Sequence, residues 1–368
     1  MKQIYKISVL HVVLLSMTVI GLKNHVSIIP PLIDTVKRDA WMSVLLSAAI
    51  IFPWLFLLVY LQKASQRKSM RNWLEEGIGK TGTNVLLTII AFYLILMAAF
   101  TMVETIQWVN TMFLPRSSFL LLLIIFIILC ILLAMTNIQT IVILNVFVLF
   151  FVVVFGFFVA FVNIQVKDYE LLRPFLEHGF HPVVKGFVFP ASGLTELLMF
   201  LFIQDQIKKP IKWFHFVIML IILVGLTMGP LIGAITEFGP TEAAKLLYPA
   251  YEEWGLVSIG RFIEHMDFFS IYQWLTGTFI RVGFILYVVS QLLVRRRKKS
   301  VWILISPLFF FCCILLSRLD DSQFVEFKGG AFLISTFLFF FILSFVFLFI
   351  SIFTRKKKTK ASHMGEEL

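Results

Sequence analysis

GLKNH (21–25) cuts into the first long apolar run of the chain, and FPASG (189–193) cuts into the sixth. Both stretches put small, polar, charged or helix-breaking residues where a membrane-spanning helix would otherwise be continuous. Matched breaks in two halves of a membrane chain mark discontinuous helices that border a binding site near the bilayer midplane. Backbone groups freed by such breaks are tolerated in hydrocarbon only where they line a cavity or are buried in protein.

The surrounding sequence belongs in a bilayer. Hydrophobic residues make up 60% of the 368 and charged residues 14%, with mean hydropathy +0.94; soluble domains carry about 45–50% and about 25%. A span needs about 20 mostly apolar residues, and such runs fall near 8–32, 40–62, 83–112, 118–136, 140–164, 184–207, 212–236, 267–294, 300–317 and 331–353. The expected fold is an all-α polytopic membrane protein of about ten transmembrane helices, one transporter-like domain over 1–354 with a basic tail at 355–368. With five spans in each half, about 1–166 and 167–354, the second half enters from the opposite face. That is a five-plus-five inverted repeat with discontinuous helices one and six.

The first run follows Lys2 and Lys6 with no small-residue cleavage site and is longer than a signal-peptide core, so it is expected to stay attached. About 20 Lys and Arg flank the face carrying the termini, including RRRKK (295–299) and RKKK (355–358), against about 10 on the other. The positive-inside rule then puts both termini in the cytoplasm. The +11 net charge is therefore a topology signal directed at anionic headgroups, not a nucleic-acid signature. The longest connection on the opposite face, 237–268, is acidic (Glu237, Glu242, Glu252, Glu253, Glu264, Asp267 against Lys245 and Arg261) and suits one or two interfacial helices. It reads either as a cover over a ligand path or as a solvated connector.

A charge at a helix centre costs at least about 2.5–3.5 kcal/mol, so an intramembrane charge calls for a partner or a function. Lys23, Glu104, Glu196 and Arg281, on spans one, three, six and eight, stand out. Two are basic and two acidic, which suits a mutually neutralising cluster. On span three, Thr101, Glu104, Thr105 and Trp108 recur at helical spacing and share a face, either toward a cavity or as polar glue between helices. Span eight carries Gln273, Gly277 and Arg281 at four-residue steps. The candidate ligand-binding residues are thus Gly21, Lys23, Asn24, Glu104, Thr105, Trp108, Ser192, Gly193, Glu196, Gln273 and Arg281. A half-helix N-terminus offers N–H donors to an anionic group, which an amino acid would supply. Pro190 and Gly193 alone are equally consistent with an ordinary kink.

Cys130, Cys312 and Cys313 lie in apolar runs without metal-ligand spacing and read as packing residues. Among the histidines only His25, at the first break, is placed to matter. No phosphate loop, catalytic triad order or nucleophile elbow is present, so neither a cofactor nor enzymatic chemistry is expected.

The stretch YPAYEEWGLVSIGRFIEHMDFFSIYQWLTGTFIR (248–281), with its Pro-x-Tyr-Glu start, Val-Ser-Ile-Gly core and following Ile-Glu-x-x-Asp, resembles the hallmark of the bacterial spore-germination permeases. These are the integral-membrane B subunits of nutrient germinant receptors, within the amino acid–polyamine–organocation transporter superfamily. GLKNHVSIIPPL (21–32) is similar to one branch, although the family more widely carries a glycine-rich Ile-Gly-x-Gly-Val break there. The resemblance implies a ligand between spans one, three, six and eight, and a spore inner-membrane receptor with a larger A subunit and a lipoprotein C subunit. It implies a sensor of a small nutrient, an amino acid or nucleoside, with Lys23, Glu104, Ser192, Glu196 and Arg281 controlling sensitivity. A secondary transporter with a proton-carrying Glu104 or Glu196, an ion or water conduit, and a scaffold without ligand are the alternatives.

Overall fold

The computed structural model describes residues 6–258, 266–294 and 299–366, with backbone alone for 299, 321 and 355–366. Arg261, Glu264, His265 and most of RRRKK fall outside the described residues. Among those described, helices occupy all ten positions read from the sequence, and the protein is an all-α polytopic membrane protein. Eight helical stretches are long and apolar enough to cross a bilayer. Spans four (Phe119–Ala134) and nine (Trp302–Leu316) are shorter. At about 1.5 Å per residue they reach only about 23–24 Å, short of a hydrocarbon core of about 30 Å.

Span one is built of Val9–Leu22, a wide π turn at Lys23–Ser27, and Ile29–Val36. The break at GLKNH is therefore a change of helix type, not a gap: the Ile28 N–H reaches back five residues to the Lys23 carbonyl at 3.2 Å. Lys37, at φ 60°, ends the span, and span two follows as Ala40–Ala64. Span three, Met70–Met112, bends at Gly79, whose φ of 74° only glycine adopts without strain. Span five is Ile138–Val162. Span six begins as two short helices, Phe180–Gly186 and Val188–Leu194, and tightens to a 3₁₀ helix over Thr195–Gln206. Span seven is Trp213–Phe238 and span eight Phe268–Leu293. Span ten opens with a second π turn, Phe327–Phe332, and runs as Leu333–Glu366, so the basic tail continues its helix.

Burial separates the inner helices from the outer ones. Of the apolar stretch of each span, 89% is buried in span six, 78% in span eight and 61% in spans one and three, against 22% in span five. Phe147, Phe150, Phe157 and Phe161 of span five are exposed and turn to lipid. The four inner helices are those on which the sequence placed intramembrane charge.

Two further features position the site. Ile7 donates to the Gln206 carbonyl (2.9 Å) and accepts from the Lys208 N–H (2.8 Å), so the chain entering span one is paired to the chain leaving span six. On the opposite face, the 237–268 connection forms Pro240–Ala243 and then Pro249–Gly255, here called the outer helix, which packs on span seven and touches the span-one π turn.

Candidate functional site

Where span one widens and span six tightens, their side chains meet. Lys23 Nζ donates to the Ser192 carbonyl at 3.3 Å and to Glu196 Oε1 at 3.0 Å. Arg281 of span eight grips the same carboxylate with both ends of its fork, Nη1 to Oε2 at 2.7 Å and Nη2 to Oε1 at 3.0 Å. Its Nε donates to Thr101 Oγ1 of span three at 3.2 Å, and Nη1 also meets the Val19 carbonyl of span one. Glu196 is fully buried and Arg281 is 1% exposed, so the pairing works in a low dielectric where a lone charge would not be held. A planar guanidinium with several donors suits such multivalent contact.

Glu104 holds a second centre beside the first. Its Oε2 accepts from the Ser27 hydroxyl at 2.6 Å, and its Oε1 from Lys328 Nζ at 3.1 Å. Lys328, 3% exposed, comes from the π turn that opens span ten. Five ionisable side chains from spans one, three, six, eight and ten thus form two adjoining buried ion-paired groups, Lys23–Glu196–Arg281 and Lys328–Glu104.

Polar contacts extend the layer. Thr105 and Thr278 hydroxyls lie 2.8 Å apart, joining spans three and eight. Asn24 donates to Thr227 Oγ1 at 3.1 Å, and its Oδ1 rests on Gly193, where a Cβ would come within 1.7 Å of it. Glycine at 193 is what lets the two broken regions touch. Pro230 has no N–H to offer the Leu226 carbonyl four residues back, and His25 Nδ1 lies 3.2 Å from that carbonyl, donating in the matching tautomer.

Toward the outer helix an aromatic layer adjoins the charges. Trp108 stacks on Trp274 with centroids 4.1 Å apart, flanked by Tyr251 and Phe113 at 5.6 and 5.2 Å. Tyr248 meets Trp274 edge-on at 5.2 Å, and Lys328 Nζ lies 5.9 Å over the Tyr248 ring. Trp108 Nε1 is buried without an acceptor among the described residues.

Of the residues proposed from sequence, Lys23, Ser192, Glu196 and Arg281 meet directly, Glu104 stands in the adjoining group with Lys328 and Ser27, Asn24 meets Gly193, and Thr105 and Trp108 border them. Two do not join. Gly21 packs beside Leu226, where a Cβ would sit 3.0 Å from Cδ1. Gln273 faces span five, taking the Trp254 indole N–H at 3.0 Å and donating to the Val152 carbonyl at 3.0 Å. Sequence reasoning missed Lys328 and Ser27. A lysine followed by Gly329-Gly330 at the head of an apolar run was the available signal.

A family model described as spore germination protein matches residues 6–325. Spore germination protein XB of Bacillus anthracis is 36% identical over 342 residues, 93% of this chain and 96% of that protein. Putative spore germination protein YfkT of Bacillus subtilis (strain 168) is 26% identical, covering 73% of this chain and 74% of its own. Spore germination protein A2 of the same strain is 24% identical over 68% of each chain.

Proposed function

Because the chain belongs to the spore germination protein family, we propose that it is the integral-membrane subunit of a nutrient germinant receptor. It resides in the spore inner membrane with both termini cytoplasmic, as a five-plus-five inverted repeat. It works beside a larger A subunit and a lipoprotein C subunit. A small nutrient binds between spans one, three, six, eight and ten, and shifts the bundle between two states that the partners sense.

The observation that carries this reading is the charge count of the buried layer. Lys23, Arg281 and Lys328 supply three cations, and Glu104 and Glu196 two carboxylates. One positive charge is left over in a place where unpaired charge is costly. An amino-acid carboxylate balances it, and the Trp108–Trp274–Tyr248 layer suits the apolar part of such a ligand. A ligand moves an equilibrium only through its different affinity for the two states. A network that ties five spans offers that difference, since an added anion repartitions the contacts between helices.

Glu104 and Glu196 are both held by cations, which favours a sensor over a proton-coupled transporter that would use them as carriers. The test has two arms. Spores lacking the gene are exposed to single amino acids and nucleosides, and loss of response to one nutrient is expected. Purified protein is then melted with that nutrient and with its decarboxylated analogue. Saturating ligand at 100 Kd stabilises by about 2.7 kcal/mol, and only the carboxylate form is expected to do so. Equal stabilisation by both refutes the charge argument, and germinant-driven uptake into membrane vesicles would make the protein a transporter.

A further inference from the structure

A second group of ionisable residues lies on the face opposite the termini, outside the layer just described. Asn163 ends span five, Glu237 ends span seven, and Glu253 belongs to the outer helix. Asn163 Nδ2 donates to Glu237 Oε2 at 3.1 Å and to the Glu253 carbonyl at 2.8 Å. Lys167 Nζ stands 3.5 Å from Glu237 Oε1. Glu253 is 7% exposed and its carboxylate lies on Gly233, where a Cβ would come within 2.8 Å of both oxygens. Gly233 precedes Glu237 by one helical turn, so the two carboxylates occupy neighbouring positions on one face of span seven.

Among the described residues three buried oxygens in this group accept no hydrogen bond: Glu253 Oε1, Asn163 Oδ1 on a fully buried side chain, and Glu237 Oε1, which has only the Lys167 ammonium at 3.5 Å. Among the described residues the group therefore lacks donors, and its charges, two carboxylates against one ammonium, lack one positive unit. A metal ion fits poorly. Among the described residues no three His, Cys, Asp or Glu side chains gather as ligands, and Lys167 repels a second cation. A proton supplies both the donor and the charge.

We propose that Glu253 is a proton-binding site: it takes one proton from solvent onto a carboxylate oxygen and, as the neutral acid, holds the outer helix against span seven. Losing the proton buries two like charges within a turn of each other and loosens that helix. Its Tyr248 and Tyr251 cover the aromatic layer, so the state of the proton sets how firmly that layer is capped.

Burial first, and the nearby Glu237 second, hold the Glu253 carboxyl well above the usual carboxylate range, against the pull of Lys167. A carboxyl raised in the folded state contributes stability that is complete below its unfolded value and lost as pH rises through its folded value. Among the described residues, the charged groups shown beside this segment are Asp267, which accepts from the Tyr251 hydroxyl at 3.1 Å, and Lys328, already paired to Glu104 and 5.9 Å over the Tyr248 ring, while His25 of the adjoining π turn meets the Leu226 carbonyl of span seven. Glu252 lies on the helix itself, and burial with Asp267 beside it pushes the Tyr251 hydroxyl up to about 12.

The test uses the purified full chain in lipid nanodiscs, without nutrient, so it succeeds or fails independently of the germinant reading. Infrared difference spectra and melting temperature are followed from about pH 5 to about pH 9, where buried glutamates with raised values titrate. Wild type is expected to lose a carboxylic-acid C=O band and melt earlier as pH rises. Glu253→Gln, which keeps the neutral shape, is expected to weaken the band and flatten the pH dependence of melting. Glu237→Gln removes the neighbouring negative charge and is expected to move the wild-type midpoint down by a unit or more, which keeps the test open if Glu253→Gln fails to fold. A band undiminished in Glu253→Gln, a midpoint unmoved in Glu237→Gln, or a profile that follows added sodium or calcium in place of pH overturns the proposal.

Discussion

Replacing Glu196 by Gln is the sharpest perturbation of the buried layer, because it keeps the side-chain shape and removes only the charge. Glu196 receives charge-assisted bonds from Lys23 at 3.0 Å and from Arg281 at 2.7 and 3.0 Å. After the change both cations remain buried with neutral acceptors alone: the Ser192 carbonyl for Lys23, and Thr101 and the Val19 carbonyl for Arg281. Removing one partner of a buried pair costs about 3–5 kcal/mol because the other charge is stranded. Two are stranded here, so the loss should reach the upper part of that range. It is a large share of a stability of about 5–15 kcal/mol. At about 2 °C per kcal/mol for a large domain, melting of the purified protein in detergent should fall by on the order of 5–10 °C. Lys23→Met in the Glu196→Gln background removes one stranded cation, so the double variant should be more stable than the sum of the single effects by about 1–3 kcal/mol, the usual size for contacting groups. A Glu196→Gln protein that melts within about 1 °C of wild type, or a double variant that is strictly additive, would show that Glu196 does not anchor the two cations.

Lys328→Met brings the net charge of the layer to zero but leaves buried Glu104 with the Ser27 hydroxyl as its remaining partner, a loss of about 3–5 kcal/mol; stabilisation by an amino acid should fall at least tenfold in affinity, about 1.4 kcal/mol, as read by ligand-dependent melting. Gly193→Ala forces a methyl group against Asn24 Oδ1 and should cost about 1–3 kcal/mol by overpacking, with much of the loss recovered in Gly193→Ala/Asn24→Ala; no recovery would place the strain elsewhere. A Thr105→Val/Thr278→Val double-mutant cycle across the 2.8 Å hydroxyl contact should give about 0.6 kcal/mol, the average for such bonds between membrane helices, and zero coupling would remove the contact from the network.

The ten spans were legible because apolar runs of membrane length have few other uses, and Lys23, Glu196 and Arg281 because charge inside such runs demands an explanation. Sign alone suggested one neutralising cluster of Lys23, Glu104, Glu196 and Arg281, whereas Glu104 pairs with Lys328 in an adjoining group. Lys328 was not legible: at the head of a run, beside Gly329 and Gly330, it reads as an interfacial flank, and only the π turn carries it inward to Glu104. Gln273 misled for a geometric reason. It lies eight residues before Arg281, and at 3.6 residues per turn that leaves it about 80° around the helix, enough to face span five. Glu253 was hidden by company, because a segment rich in acidic residues reads as solvated, and burial of one member depends on the glycine at 233.

The pairing of Ile7 with Gln206 and Lys208 has a mechanical meaning when set beside the Lys23 contacts with Ser192 and Glu196. Spans one and six are fastened at two separate heights, once by backbone where span one begins and span six ends, and once at mid-depth by charge. Two rods pinned at two points cannot slide or pivot past each other. A rearrangement that keeps both fastenings carries them as a single rigid crossbar, with the slack taken up against spans two, seven and ten.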